Sequence, residues 1–299
     1  MKHILSAEQF DRATVDSLLK EAQKFEGVRN NSMKGKILAS LFYEPSTRTR
    51  LSFESAFLRL GGNVITMEDG KSSSQSKGET LEDSIRMVSG YADGIVMRHA
   101  EVGAAQRAAS VSSIPIINAG DGNMGEHPTQ ALLDLYTIQK EIGHVENLHV
   151  AFVGNIKYYR SPRSLTRLLA LYNNVKISFV SSPEMGVDEE TKQYLESRGV
   201  LIEETEDLED CIGSVDVLYQ TRIAKEWIPS NEEYEKQKGR YALSSALVDS
   251  MKEGSVVMHP LPRIDEIAED IDDSPKAAYF RQAANAVPMR MALLKHTLS

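Results

Sequence analysis

The sequence predicts an α/β protein of two similar domains, each a parallel sheet flanked by helices. Three observations carry that expectation. The 299 residues are enough for two domains of ordinary size, each with its own core. Short apolar runs alternate with stretches of helical spacing along both halves of the chain, the order that builds a parallel sheet. Polar and charged residues gather just after the apolar runs, where such sheets bind their ligands. The first domain is expected over 1–142, with a C-terminal helix over 275–299 packing back on it, and the second over 143–274.

Apolar positions Phe10, Val15, Leu18, Leu19 and Ala22 predict a packing helix within 7–25. Ile37 to Tyr43 reads as a buried strand. Phe53, Ala56, Phe57 and Leu60 then follow helical spacing until Gly61-Gly62 stops the helix. Asn63 to Met67 is the next strand, and the polar run from Glu68 to Gly78 reads as a surface loop. A helix over 79–90, a strand at Gly94 to Met97 ending in Arg98-His99, a helix over 104–109 and a strand over 114–118 complete the pattern. The turn Ala119 to Gln130 leads into a helix through Pro128, a residue suited to a first helical turn. The second half repeats the alternation, with strands at 148–154, 175–180, 200–202, 215–219 and 255–258. Ser274-Pro275 reads as the cap and first turn of a terminal helix, with a kink near Pro288 and an apolar stripe at Ala277, Phe280, Ala284, Val287, Met291 and Leu294.

The net charge of −9 argues against a general nucleic-acid or membrane-surface binder, either of which needs a dominant basic field. An anion site must therefore be a local concentration of Arg and Lys. The single cysteine, Cys211, excludes an internal disulfide and a thiolate metal cluster, and its apolar context suggests packing. Without a signal-peptide pattern or an 18-residue apolar run, the expected location is cytoplasmic. No Gly-Lys-Ser or Gly-Lys-Thr occurs, which weakens a nucleotide-binding reading.

Ser46-Thr47-Arg48-Thr49, Arg98, and His127 with Gln130 all fall at strand ends. They offer guanidinium groups, hydroxyls, helix N–H groups, an imidazole and an amide. This set suits a phosphate joined to a carbonyl, with Arg and N–H groups on the phosphate and His and Thr donating to the carbonyl oxygen. Arg50 and Glu54, four apart on one helix, read as a structural pair. His99 and His259 read as structural histidines.

Ser46-Thr47-Arg48-Thr49-Arg50, Ser73 to Lys77 before Gly78-Glu79-Thr80, Met97-Arg98-His99, His127-Pro128-Thr129-Gln130 and His259-Pro260-Leu261-Pro262-Arg263 occur in the order seen in transcarbamylases. Over essentially its whole length the chain resembles aspartate carbamoyltransferase catalytic chains, the Pro-Leu-Pro-Arg favouring aspartate over ornithine. The resemblance implies carbamoyl transfer from carbamoyl phosphate to L-aspartate, giving N-carbamoyl-L-aspartate and phosphate in de novo pyrimidine biosynthesis, with no cofactor and no metal. Ser46, Thr47, Arg48, Thr49 and Arg98 would hold the phosphate. Thr49, Arg98 and His127 would polarise the carbonyl, with Arg48, Thr49, Arg98 and His127 as the catalytic set. Gln130 would hold the carbamoyl nitrogen, and Leu261 and Pro262 would add backbone carbonyls. Arg160, Arg222 and Lys77 would bind aspartate.

The resemblance further implies a homotrimer with shared active sites, Ser73 and Lys77 reaching into a neighbour's, and a regulatory chain or dihydroorotase as possible partners. The chain departs from the family pattern at Asn155, an acid in relatives, at Tyr159, a glycine, and at Ala224, a glutamine; the turn before His127 is one residue longer. Two alternatives follow: a transcarbamylase with a different or weakly bound acceptor, and a non-catalytic paralog that binds carbamoyl phosphate or serves in assembly.

Overall fold

The computed structural model describes residues 3–68, 78–225, 228 and 230–299. The chain divides into two compact units, Met1–Tyr136 with Ala284–Ser299, and Thr137–Ala283.

The first unit begins with α1 (Arg12–Lys24), capped by Asp11, whose carboxylate accepts the Thr14 N–H at 2.8 Å. The buried run Ile37–Phe42 forms β1. After it come α2 (Thr47–Arg59), β2 (Asn63–Glu68), α3 (Leu81–Val88), β3 (Gly94–His99), α4 (Ala104–Val111), β4 (Ile116–Asp121) and α5 (Pro128–Ile142), whose last residues, from Thr137, belong to the second unit. Among the described residues the strands form one parallel sheet in the order β2-β1-β3-β4. Phe53, Ala56 and Phe57 of α2, with Leu60 at its end, are fully buried, as their spacing requires.

Gly61, at φ +81°, turns the chain out of α2, and Gly62 fits because it lacks a side chain. A Cβ on Gly62 would lie 2.2 Å from the Phe57 ring. Gly62→Ala is therefore expected to destabilise the protein by about 1–3 kcal/mol, the usual range for overpacking. A urea midpoint unchanged by the substitution would contradict this contact.

Three sequence expectations are corrected here. The strand expected over 114–118 is Ile116–Asp121, because its parallel pairing with β3 continues past a register shift to His99 opposite Asp121, with the Gly122 N–H donating to His99 O at 2.9 Å. Backbone pairing thus carries the strand through Gly120 and Asp121, residues whose type suggests a turn. The terminal helix, α10 (Tyr279–Leu298), starts at Tyr279 rather than at Pro275. Ala277 instead forms a parallel bridge with Val257, the Val257 N–H donating to Lys276 O at 2.8 Å and the Ala278 N–H to Val257 O at 2.9 Å. α10 then runs through Pro288 to Leu298. Its buried face also differs from the expected stripe, since Phe280 is 54% exposed while Gln282 and Asn285 are buried.

The second unit holds β5 (His149–Val153), α6 (Arg160–Leu169), β6 (Lys176–Val180), α7 (Glu189–Ser197), β7 (Leu201–Thr205), β8 (Val217–Gln220), α8 (Asn231–Gln237), α9 (Ser245–Ser250) and β9 (Val256–Met258). Its strands are again parallel, in the order β7-β6-β5-β8-β9. Cys211 lies in the core beside these strands, and burial pushes its thiol up to about 11, so it packs rather than reacts.

Candidate active site

Each sheet has a point where successive strands stop adding on one side and begin on the other. In the first unit the chain goes from β1 outward to β2, then returns to β1's other edge with β3. In the second it goes from β5 outward through β6 and β7, then returns to β5's other edge with β8. Crossover helices leave opposite faces at such a point, opening a crevice beyond the carboxyl ends of the two central strands.

At the first of these points Phe42 of β1 is in register with Arg98 of β3, and the Tyr43 N–H donates to Arg98 O at 2.9 Å. Four residues past Phe42, Ser46 caps α2 without any side-chain hydrogen bond to the helix. The first-turn N–H groups, aligned with the helix dipole, are thus left for an external acceptor. Thr47 and Arg48 are exposed at that end, and Arg48 has no carboxylate partner among the described residues. Thr49 is buried, and its carbonyl accepts from Arg290 Nη1 at 3.1 Å. Arg98 is aimed by Glu44, whose Oε1 lies 3.1 Å from Nη2, and by Ala119 O, 3.4 Å from Nη1.

His127 ends the adjacent β4–α5 connection, and Gln130 lies in the first turn of α5. Asp121 organises this turn: Oδ1 accepts from Glu126 N–H at 2.9 Å and Asn118 Nδ2 at 3.0 Å, and Oδ2 from Gly103 N–H at 3.0 Å. The Asp121 N–H donates to Glu126 O at 3.2 Å, closing the turn's base directly before His127. The longer turn therefore extends outward above that closure, with Asn123 and Met124 exposed between buried Gly122 and Gly125. His127 is 4% exposed, with Thr129 Oγ1 at 3.4 Å from its Nδ1. Gln130 Nε2 donates to Asp134 Oδ1 at 2.9 Å.

At the second unit's corresponding point, β5 runs into Gly154-Asn155 and β8 into Thr221-Arg222. Thr221 Oγ1 joins the two ends by donating to Val153 O at 2.8 Å and Asn155 O at 3.1 Å. Gly154, at φ +102°, must stay bare, because a Cβ would meet Thr221 O at 2.6 Å. Arg160 opens α6 and is 9% exposed; Arg222 lies two residues past β8. Asn155 is fully buried, its Oδ1 accepting the Tyr158 N–H at 3.2 Å, and Ala224 is buried at 1% exposure.

Beyond β9, His259 shapes the loop that carries Leu261 and Pro262. Its Nδ1 accepts the Leu261 N–H at 2.7 Å, so the ring proton belongs on Nε2, which lies 2.7 Å from Glu266 Oε1. Glu266 also accepts from Ile264 and Asp265 N–H at 3.1 and 3.2 Å. Burial alone would raise the Glu266 carboxyl, but the bond and charge of His259, with the backbone N–H groups of Glu266 itself and Ile264, outweigh it and hold it below the ordinary value. The His259 N–H donates to Gln282 Oε1 at 2.8 Å, which explains why α10 buries a polar residue. Leu261 adopts φ +55° in this loop.

The structure thus gathers Ser46, Thr47, Arg48, Thr49 and Arg98 at one switch point, with His127 and Gln130 from the neighbouring strand. Arg160 and Arg222 gather at the other, with Leu261 and Pro262 from the neighbouring strand. Ser73 and Lys77 lie outside the described residues. Sequence reading missed Glu44, Asp134, Glu266 and Arg290. Asp134 is one helical turn after Gln130 and was open to detection by that spacing; Arg290 is 241 residues from its partner Thr49 and was not.

The family model of the aspartate/ornithine carbamoyltransferase carbamoyl-P binding domain matches residues 2–140, and that of the Asp/Orn binding domain matches residues 146–297. The aspartate carbamoyltransferase catalytic subunit of Methanocaldococcus jannaschii is 50% identical over 300 residues, covering 99% of this chain and 97% of that one. The chain belongs to the aspartate carbamoyltransferase family. A chloroplastic aspartate carbamoyltransferase of Pisum sativum is 51% identical over 98% of this chain and 77% of its own. Among solved members of the family, the M. jannaschii catalytic subunit superposes with a TM-score of 0.92 at 48% identity, over 99% of this chain and 98% of that one. The Trypanosoma cruzi enzyme in complex with carbamoyl phosphate and aspartate gives a TM-score of 0.94 at 38% identity, over 100% and 97%.

Proposed function

We propose that this chain transfers the carbamoyl group of carbamoyl phosphate to the amine of L-aspartate, yielding N-carbamoyl-L-aspartate and phosphate in pyrimidine biosynthesis. One observation carries the assignment of roles. Each unit places a different set of anion-binding groups at its own switch point, a helix N-terminus with Arg48 and Arg98 in the first and Arg160 with Arg222 in the second.

In this reading Ser46, Thr47, Arg48, Thr49 and Arg98 hold the phosphate. Thr49, Arg98 and His127 donate to the carbonyl oxygen, and Gln130 accepts from the carbamoyl nitrogen. Arg160 and Arg222 take the two carboxylates of aspartate, Lys77 assists them, and Leu261 and Pro262 present backbone carbonyls. The deprotonated amine forms a bond to the carbonyl carbon, the oxyanion is stabilised by the three donors, and the carbon–oxygen bond to phosphate then breaks. Phosphate leaves with the electron pair and can itself accept the proton lost by the amine, so the step asks for no protein nucleophile.

Formation of carbamoyl aspartate by the purified protein tests the assignment, and no product at millimolar aspartate would overturn it. Asn155 and Ala224 support weaker handling of the acceptor, since the acid and the glutamine of the family pattern are both replaced. Arg222→Ala is expected to raise the KM for aspartate at least about tenfold, the loss of one charged hydrogen bond, while leaving carbamoyl phosphate affinity unchanged. Equal weakening of both substrates would contradict the role given to Arg222.

The working form is read as a cytoplasmic homotrimer, with Ser73 and Lys77 contributing to a neighbour's site and a regulatory chain or dihydroorotase as a further partner. Leu51 and Leu58, seven apart on one face of α2 and 50% and 59% exposed, support contact with a second copy. Among the described residues no helix is long and apolar enough to cross a membrane.

A further inference from the structure

Gln130 is an amide, and an amide can be read from either end. Its Nε2 faces Asp134, a fully buried residue whose Oδ1 accepts from it at 2.9 Å. A carboxylate accepts hydrogen bonds and donates none, so the nitrogen of Gln130 must be the atom turned toward Asp134. Gln130 Oε1 is then the atom left for a ligand, and it has no partner among the described residues.

Asp134 lies within electrostatic reach of a buried cation. Among the described residues Arg290 is one of the largest fully buried side chains, with its guanidinium carbon 4.5 Å from the Phe53 ring centroid and Nη1 donating to Thr49 O. Burial pulls this guanidinium down to about 9, the charge of Asp134 acts against that shift, and Arg290 remains a cation at neutral pH. A buried cation favours a neighbouring acceptor that keeps its negative charge over a neutral amide.

We propose that Asp134, with Arg290 behind it, is a positioning residue that locks Gln130 with its oxygen outward, so that the site selects an acyl phosphate bearing an N–H donor over one bearing a methyl group. The inference rests on the assignment of Gln130 to the carbamoyl nitrogen. Its chemistry is a polarity match: Oε1 accepts from the NH2 of a carbamoyl group and finds nothing to accept from an acetyl group. Unpaired polar atoms of this kind are what allow a site to reject a near-isostere. With asparagine in place of Asp134, the new amide nitrogen could donate to Gln130 Oε1. Gln130 would then turn its own NH2 outward, donor against donor.

The experiment measures, by calorimetry, binding of two stable probes that differ only in this group, phosphonoacetamide and acetonylphosphonate. The parent protein is expected to prefer the amide by at least about tenfold, one hydrogen bond's worth. Asp134→Asn is expected to bring the ratio close to one while weakening acetonylphosphonate little. General loosening of the site would weaken both probes alike and leave the ratio intact. The double variant Asp134→Asn with Arg290→Met removes both buried charges at similar volume, and its ratio is read alongside thermal unfolding in case the single variant does not fold. A parent protein that binds neither probe would overturn the assignment of the site. A parent that prefers the amide, with that preference retained in the folded variants, would overturn the role of Asp134 alone.

Discussion

Arg48→Ala is expected to lower kcat by about 10²–10³-fold or more, the range seen when a donor aimed at transition-state charge is removed. Folding should be spared, because Arg48 is exposed and has no carboxylate partner among the described residues. Its removal strands no carboxylate partner among the described residues, and exposed substitutions of that kind usually fall within about 0.5 kcal/mol. Steady-state assay together with urea unfolding separates the two effects. A variant with near-parental turnover would remove the α2 end from the chemistry, while a variant that fails to fold would contradict the exposed environment seen for this side chain.

Arg290→Ala is expected to do the reverse, costing about 3–5 kcal/mol of stability, as breaking a buried charge interaction does. Three losses combine: the Thr49 carbonyl loses one of its donors while keeping Ser52 Oγ, Asp134 loses a buried countercharge, and a void opens against Phe53. Arg290→Met should recover part of this, because it refills the volume without restoring the donor. Denaturant midpoints of the two variants decide the matter. If alanine proves as stable as the parent, the guanidinium is not held in the interior in solution. Turnover in whatever folds should also fall, since Thr49 begins the site side of that contact.

The strands were legible because buried parallel strands read as near-continuous apolar runs, as Ile37–Phe42 and His149–Val153 do. Their neighbours were not legible. Nothing in the residues of β1 states that β3 rather than β4 lies at its side, yet that order is what makes the Ser46 and Arg98 ends adjacent. Site chemistry could be read by type, since hydroxyls and guanidinium groups after an apolar run have few structural uses. Orientation could not, because Glu44, Asp134 and Glu266 look like ordinary acids until their partners are seen. The terminal helix misled for a related reason. Its apolar spacing suggested one face, but Gln282 is drawn inward by the His259 N–H and Phe280 is left outside.

The turn closed by Asp121 has a consequence for how this chain tolerates change in length. Insertions and deletions survive where the flanking backbone is anchored independently of what lies between. Asp121 and Glu126 are tied to each other across the base, so the register of His127 does not depend on the number of residues above them. Gly122 and Gly125 are bound in place, since a Cβ would meet Val102 at 2.4 Å in one case and the Asp121 carbonyl oxygen at 1.7 Å in the other. The bond between Asn123 and Met124 is therefore the position at which a lineage could gain or lose a residue, or an experimenter splice in a short tag, without disturbing the imidazole three residues on.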